Sequence, residues 1–120
     1  MSTHIFKTLS SVDERPWGSF TDLADADGVW HVKILCIKSG ERISLQRHFL
    51  RDEHWVVLEG EIDVTLDEEA YHLKKGEHIV VPRETRHRIY AITDATIGEI
   101  SVGHVDENDI ERFEDDYGRV

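Results

Sequence analysis

Hydrophobic and polar positions alternate along most of the middle of this chain, in short runs. Val29 to Lys38 reads VWHVKILCIK, is rich in β-branched residues and closes on Ser39-Gly40, which predicts a strand ended by a turn. From Arg42 to His48, Ile43 and Leu45 fall on one face of an extended segment, and Ser44, Gln46 and His48 on the other. Further strands are predicted at His54 to Leu58, Ile62 to Leu66, Ala70 to Leu73, His78 to Val81, His87 to Thr93 and Thr96 to Val102, with turns at Glu59-Gly60 and Lys75-Gly76. Between Val12 and Phe20, Pro16-Trp17-Gly18 reads as a turn leading into an edge strand. Closely spaced strands separated by turn residues predict an all-β sandwich or barrel. The period changes near the end. After Asp106, Ile110 and Phe113 stand three apart with acids crowding the first turn, which predicts a short helix capped near Asp106.

Length and charge narrow the reading. The 120 residues make one domain, with a core at about 15–105 and a helical tail at 106–120. No apolar run approaches the ~20 residues that span a bilayer, and Met1 to Ser10 lacks the apolar stretch of a secretory leader. The single Cys36 excludes an intrachain disulfide and suits a reducing compartment, so a cytoplasmic location with no membrane association is expected. Fourteen basic residues against 25 acids give a net charge of −11. That argues against nucleic acid as a partner, because phosphate backbones need a basic face. The acids are uneven: 106–116 holds seven against the one Arg112, so a local anion site elsewhere stays open.

The candidate chemistry lies in two glycine-framed stretches. The first reads Gly40-x5-Gln46-x-His48-x4-Glu53-x6-Gly60, the second Gly76-x5-Pro82-x4-His87. Gln46 and His48 sit two apart on a strand and so share a face. A hairpin would return Glu53 beside them, and His87 would arrive from a second hairpin. Buried polar side chains need partners, and a divalent ion satisfies an amide, a carboxylate and two imidazoles together. The other histidines are expected to be structural or exposed. His4, His72 and His78 have no grouping, His31 and His104 are expected at the surface, and His54, next to Glu53, faces the other way.

These spacings are the two signature motifs of the cupin superfamily, which the chain resembles. The resemblance implies a double-stranded β-helix, a small jelly-roll barrel with a metal in its mouth. Cupins usually carry His where Gln46 stands, Gly where Glu84 stands and Asn where Ala91 stands. The fragments RPWGSF (15–20), VKILCIKSGERISLQRH (32–48), RDEHWVVLEG (51–60), VPRETRHRI (81–89) and DIERFEDDYGR (109–119) are similar to the type II mannose-6-phosphate isomerase domain, here standing alone. One stretch departs from that pattern: Ile100-Ser101 follows Glu99, and Gly103-His104-Val105 lacks the usual Tyr.

The resemblance implies a metal-dependent aldose–ketose isomerase that interconverts mannose 6-phosphate and fructose 6-phosphate through an enediol. One divalent ion on Gln46, His48, Glu53 and His87 is expected, zinc first, with manganese, cobalt, nickel or iron also compatible with the donors. The base is expected to be Glu99, or else Lys33. The phosphate is expected on Arg51, Arg112, Arg119 or Arg15, with Trp17 walling the pocket. Arg42, Arg47, Arg83, Arg86 and Arg88 are expected to be surface charge. The rival readings are an iron-dependent oxygenase and a sugar-binding module. A homodimer is expected, alongside a separate mannose-1-phosphate guanylyltransferase.

Overall fold

In the computed structural model, which describes residues 7–120 and the side chains of residues 11–120, eleven strands form two antiparallel sheets. The larger sheet runs β1-β2-β3-β10-β5-β8 and the smaller β11-β4-β9-β6-β7. Their ranges are β1 Lys7–Arg15, β2 Gly18–Ala26, β3 Trp30–Ile37, β4 Leu45–Arg47, β5 Arg51–Glu59, β6 Glu61–Leu66, β7 Glu69–Lys74, β8 His78–Val81, β9 His87–Ala91, β10 Ala95–Gly103 and β11 Glu111–Glu114. His4 lies outside the described residues. No helix is long and apolar enough to cross a membrane among the described residues.

The alternation of β5 fixes which way the larger sheet faces. Arg51, Glu53, Trp55 and Val57 are buried while their neighbours are not, so one face of that sheet packs on the other sheet. Register then sorts the inner face into rows. Val57, Ile97, Leu35 and Phe20 lie side by side, as do Trp55, Glu99, Lys33 and Asp22, and then Glu53, Ser101, His31 and Asp25. The first row is apolar and the other two are polar. The smaller sheet adds Ile62, Val64, Ile89 and Ala91, all 0% exposed, opposite the apolar end. The core therefore fills one end of the barrel. Each fully buried aliphatic side chain there contributes about 1.5–3 kcal/mol of transfer free energy. The polar rows are left lining the other end.

Two tight approaches hold the strands in place. Gly18 has φ of 153°, and a Cβ there would overlap the Cys36 carbonyl oxygen, so only glycine lets β2 begin against β3. Gly60, with φ of 85°, packs the β5–β6 turn against the Asp94 carbonyl.

The predicted C-terminal helix does not form. Asp106 caps a turn through its side chain to the Asn108 amide (2.9 Å), and the chain then extends as β11. β11 pairs with β4, placing Glu111 opposite Arg47 and Arg112 opposite Gln46. Without β11, β4 would present an open edge at the barrel mouth, and pairing satisfies that edge. A helix this short has little intrinsic stability to set against it. The tail beyond β11 is tied down by Arg42–Asp116 (2.7 Å) and by the Tyr117 hydroxyl donating to Glu41 (2.5 Å).

Arg88 is a second correction. It is 6% exposed, not surface charge, and donates to the Ile43 carbonyl (2.9 Å) and to Glu114 (3.2 Å), bolting β9 to the smaller sheet's edge. Arg42, Arg47, Arg83 and Arg86 do make surface ion pairs, with Asp116, Glu111, Asp52 and Asp67.

Candidate metal centre and cavity

Three of the four predicted ligands converge. His48, Glu53 and His87 each offer one ligand atom within 4.8 Å of the others, and all three are buried. Gln46 lies beside them, its amide nitrogen 3.2 Å from His48 Nε2 and its carbonyl oxygen accepting from the Ser44 hydroxyl (2.5 Å). An amide turned over exchanges oxygen for nitrogen, and a hydroxyl accepts as readily as it donates.

Two backbone carbonyls preset the imidazoles. His48 Nδ1 donates to the Asp109 carbonyl (2.6 Å) and His87 Nδ1 to the Thr85 carbonyl (3.0 Å). Each ring therefore presents Nε2 as a lone pair, the arrangement of a metal ligand oriented from behind. The buried His87 Nε2 has no hydrogen-bond partner. Asp109 also accepts from the Phe49 and Leu50 amides (2.9 Å each), so this loop residue fixes the whole approach to His48. Sequence reasoning gives no signal for it. Glu84 closes the frame: its amide donates to the His48 carbonyl (2.6 Å) from a left-handed backbone with φ of 68°.

A cation already sits among these donors. Arg51 is 7% exposed; its Nε donates to Glu53 Oε2 (2.8 Å) and its Nη2 to His48 Nε2 (3.0 Å). It is thus held by two of the predicted ligands, with its Nη1 donors left toward the cavity it lines. Donor identity, preset tautomers and the unpartnered His87 Nε2 together fit a divalent ion. The positive charge that the site calls for is meanwhile supplied by a guanidinium.

Glu99 points inward, 5% exposed. The Trp55 indole N–H is shared between Glu53 Oε1 (3.0 Å) and Glu99 Oε1 (3.2 Å). Glu99 Oε2 has no hydrogen bond; the Lys33 ammonium approaches it at 3.3 Å as an ion contact. Burial pushes the Glu99 carboxyl upward, and the Glu53 charge adds to it, against Lys33 and Arg51. Glu53 moves the other way: burial opposes its charge, but His87, Arg51 and Lys33 outweigh that and hold it at about 2. Two carboxyls sharing one indole are thus pushed apart in acidity.

His48 is pushed down to about 3, first by burial, then by the Arg51 and His87 charges. The unfolded chain takes up this proton near 6.5 while the folded chain does not. Its contribution is fully present above that pH and is lost as pH falls toward 3. Glu53 adds a loss of the same sign below its usual 4.5, whereas Glu99, raised, gives a contribution that fades as pH rises. Because the raised Glu99 opposes His48 above pH 4.5, the effect is read in a Glu99→Gln background: in that chelator-treated protein the urea midpoint is expected to fall as pH drops from about 6.5 to 4.5, a window set by His48. His48→Gln should flatten that part of the curve. An unchanged slope in the variant would remove His48 as its source.

These residues open on a cavity of about 510 Å³. Its walls include Gln46, His48, Arg51, Glu53 and Glu99; His87 does not line it. Arg15, Arg112, Arg119 and Trp17 line it as well. Arg119 is paired with Asp115 (2.8 Å), while Arg112 Nε is buried without a partner. Burial and then the neighbouring Arg119 charge lower the Arg112 pKa, the mark of a guanidinium short of anions. His31 corrects another expectation. It is not at the surface but lines the same cavity beside Asp22 and Asp25. His54 does face away from the site, and it meets His78 at 3.0 Å, a pairing the sequence does not reveal.

The chain matches known proteins over most of its length. The family described as mannose-6-phosphate isomerase C-terminal matches residues 4–115. The alginate biosynthesis protein AlgA of Pseudomonas putida is 40% identical over 109 residues, covering 88% of this chain and 22% of that protein. A mannose-1-phosphate guanylyltransferase of Escherichia coli is 38% identical over 109 residues, covering 88% and 23%. Among solved structures, KdgF from Halomonas superposes with a TM-score of 0.76 at 18% identity over 85% of this chain and 97% of that one. Streptomyces PAC13, solved with uridine, gives 0.79 at 16% identity over 96% and 93%. Both are like this chain in fold alone, and they support the cupin jelly roll. The relatives overturn one expectation, that of an isomerase standing alone. This chain spans less than a quarter of their length, and what they share with it is one domain of a larger protein. The chain belongs to the mannose-6-phosphate isomerase C-terminal family.

Proposed function

We propose that this domain is the isomerase-type part of a mannose-activating system whose other part is a guanylyltransferase, on the same polypeptide or on a partner. In this reading it binds a phosphorylated sugar in the 510 Å³ cavity and moves a proton between adjacent carbons. One observation carries it: a buried carboxyl with a raised pKa and an unbonded oxygen shares its indole partner with a metal-type ligand set, in a cavity that also holds four arginines.

The residues divide the work. Gln46, His48, Glu53 and His87 would hold the ion; when bound, it would withdraw electrons from a substrate carbonyl and its neighbouring hydroxyl, making the C–H of the hydroxyl-bearing carbon more acidic. Glu99 Oε2 is the atom that takes that proton and returns it to the next carbon, while the hydroxyl proton passes from O2 to O1 so that none is gained or lost overall; a raised pKa suits a carboxyl to both halves of the exchange. Lys33, 3.3 Å away, steadies the ionised form. Arg112, with its buried unpartnered Nε, and Arg15 and Arg119 beside it receive the phosphate through planar, charge-assisted hydrogen bonds. Trp17 closes the wall below them.

The test is proton exchange in deuterated solvent. Mannose 6-phosphate incubated with zinc- or manganese-loaded protein should gain deuterium at C2, and chelated protein should give none. Absence of both exchange and phosphosugar binding in every metal-loaded sample would rule the reading out.

A further inference from the structure

The cavity has a wall that neither the metal donors nor the arginines use. His31 on β3 stands between two carboxylates of β2, with Nε2 2.6 Å from Asp22 Oδ1 and Nδ1 3.6 Å from Asp25 Oδ2. The three side chains are only 13%, 21% and 27% exposed, and all three line the cavity. They also lie in register with the catalytic candidates. Asp22 is opposite Lys33, which is opposite Glu99; Asp25 is opposite His31, which is opposite Ser101 and then Glu53. Two strand spacings separate His31 from Glu53, and three, about 14 Å along the sheet, separate Asp25 from it.

Its geometry argues against a second metal centre. The two carboxylates meet different nitrogens of one ring, so they approach it from different sides and do not converge on a single ion. Instead the imidazole bonds one oxygen of Asp22 at 2.6 Å and orients that carboxylate on the cavity wall, while Asp25, 3.6 Å from Nδ1, stands in ion-contact range beside it. Oriented acceptors without a converging cation suit a ligand rich in neutral donors, and adjacent hydroxyl groups are such a ligand. The same register row carries the candidate base, so a sugar whose reacting carbons meet Glu99 extends its next hydroxyls toward Asp22. Glu99 Oε2, more than nine-tenths buried on this wall, has no hydrogen bond, and Lys33 lies between it and Asp22.

We propose that Asp22, His31 and Asp25 form a hydroxyl-reading subsite. Asp22 and Asp25 accept hydrogen bonds from the sugar hydroxyls between the reacting carbons and the phosphate, and His31 holds the Asp22 carboxylate in place. This inference rests on the phosphosugar reading above. It assigns stereochemical selection to β2 and β3, away from the metal donors.

Calorimetry on the zinc-loaded full chain tests it, with mannose 6-phosphate and its 3-deoxy and 4-deoxy counterparts as probes. The parent should bind at least one deoxy sugar about 10- to 100-fold more weakly, the range for a hydrogen bond to a charged group. Asp22→Asn or Asp25→Asn should shrink that penalty to a few-fold while zinc content and affinity for inorganic phosphate stay at parent values. His31→Asn keeps both acids but frees Asp22 from its 2.6 Å bond, and should shrink the penalty at the hydroxyl Asp22 reads; it serves where an Asp variant does not fold. A full deoxy penalty retained in the folded variants overturns the subsite and leaves the phosphosugar reading intact. A parent that binds mannose 6-phosphate with no deoxy penalty does the same. A parent that binds no phosphosugar overturns both.

Discussion

Glu99→Gln is expected to slow C2 proton exchange on mannose 6-phosphate by about 10²- to 10⁴-fold, the usual contribution of a positioned acid–base group, with metal content and phosphosugar affinity close to parent. The amide keeps the shape of the carboxyl and can still accept from the Trp55 indole (3.2 Å to Glu99 Oε1 in the parent). It cannot carry a proton. The loss should therefore fall on kcat, with KM little changed. A structural role predicts something else: lower stability or metal content, with turnover per loaded site preserved. Lys33→Met separates the neighbours further. Removing the ammonium 3.3 Å away should raise the pKa of Glu99, moving the acid limb of the pH–rate profile upward without abolishing turnover. If Glu99→Gln exchanges at the parent rate, the proton passes through another group.

Glu53→Ala should cost the metal-free protein about 3–5 kcal/mol, the range for stripping one member from a buried ion pair. Glu53 is 3% exposed, Arg51 is 7% exposed, and they are joined at 2.8 Å. Without the carboxylate, the guanidinium keeps only His48 Nε2 (3.0 Å) and stays buried with its charge uncompensated. The variant should also lose the rise in melting temperature that zinc gives the parent, because a carboxylate donor is gone. Arg51→Met should behave in the opposite sense. Its metal-free form is weakened by a buried unpaired Glu53, but zinc binds more tightly, since nothing must be displaced. Urea titrations with and without zinc read both effects. A Glu53→Ala protein as stable as the parent, and still raised by zinc, would contradict this account of the centre.

Strands and their facing were legible because a period of two is written into the chain. Gln46 and His48 share a face in the structure as their spacing requires, and Glu99, whose flanks Ile97 and Ile100 left its direction open, turns inward with Ile97 in alternate positions of β10. The left-handed backbone at Glu84 was legible only through the family pattern: glycine is usual there, and the φ of 68° keeps the conformation glycine favours. What escaped was set by partners distant in the chain. Ile110 and Phe113 imitate a helical period, yet β11 exists because the edge of β4 needs pairing. Arg88 reads as surface charge until Ile43 and Glu114 close over it. His31 looks solitary because Asp22 and Asp25 reach it only across the β2–β3 hairpin.

Arg51 carries a last consequence, for the order of events during maturation. Many small metal proteins stay unfolded until their ion arrives, because the empty donors repel or strand one another. Here the polypeptide brings its own counter-charge to Glu53 and a donor to the His48 lone pair. An ion entering this donor set would meet a carboxylate and an imidazole already engaged, so one guanidinium would have to swing aside before both could turn to the newcomer.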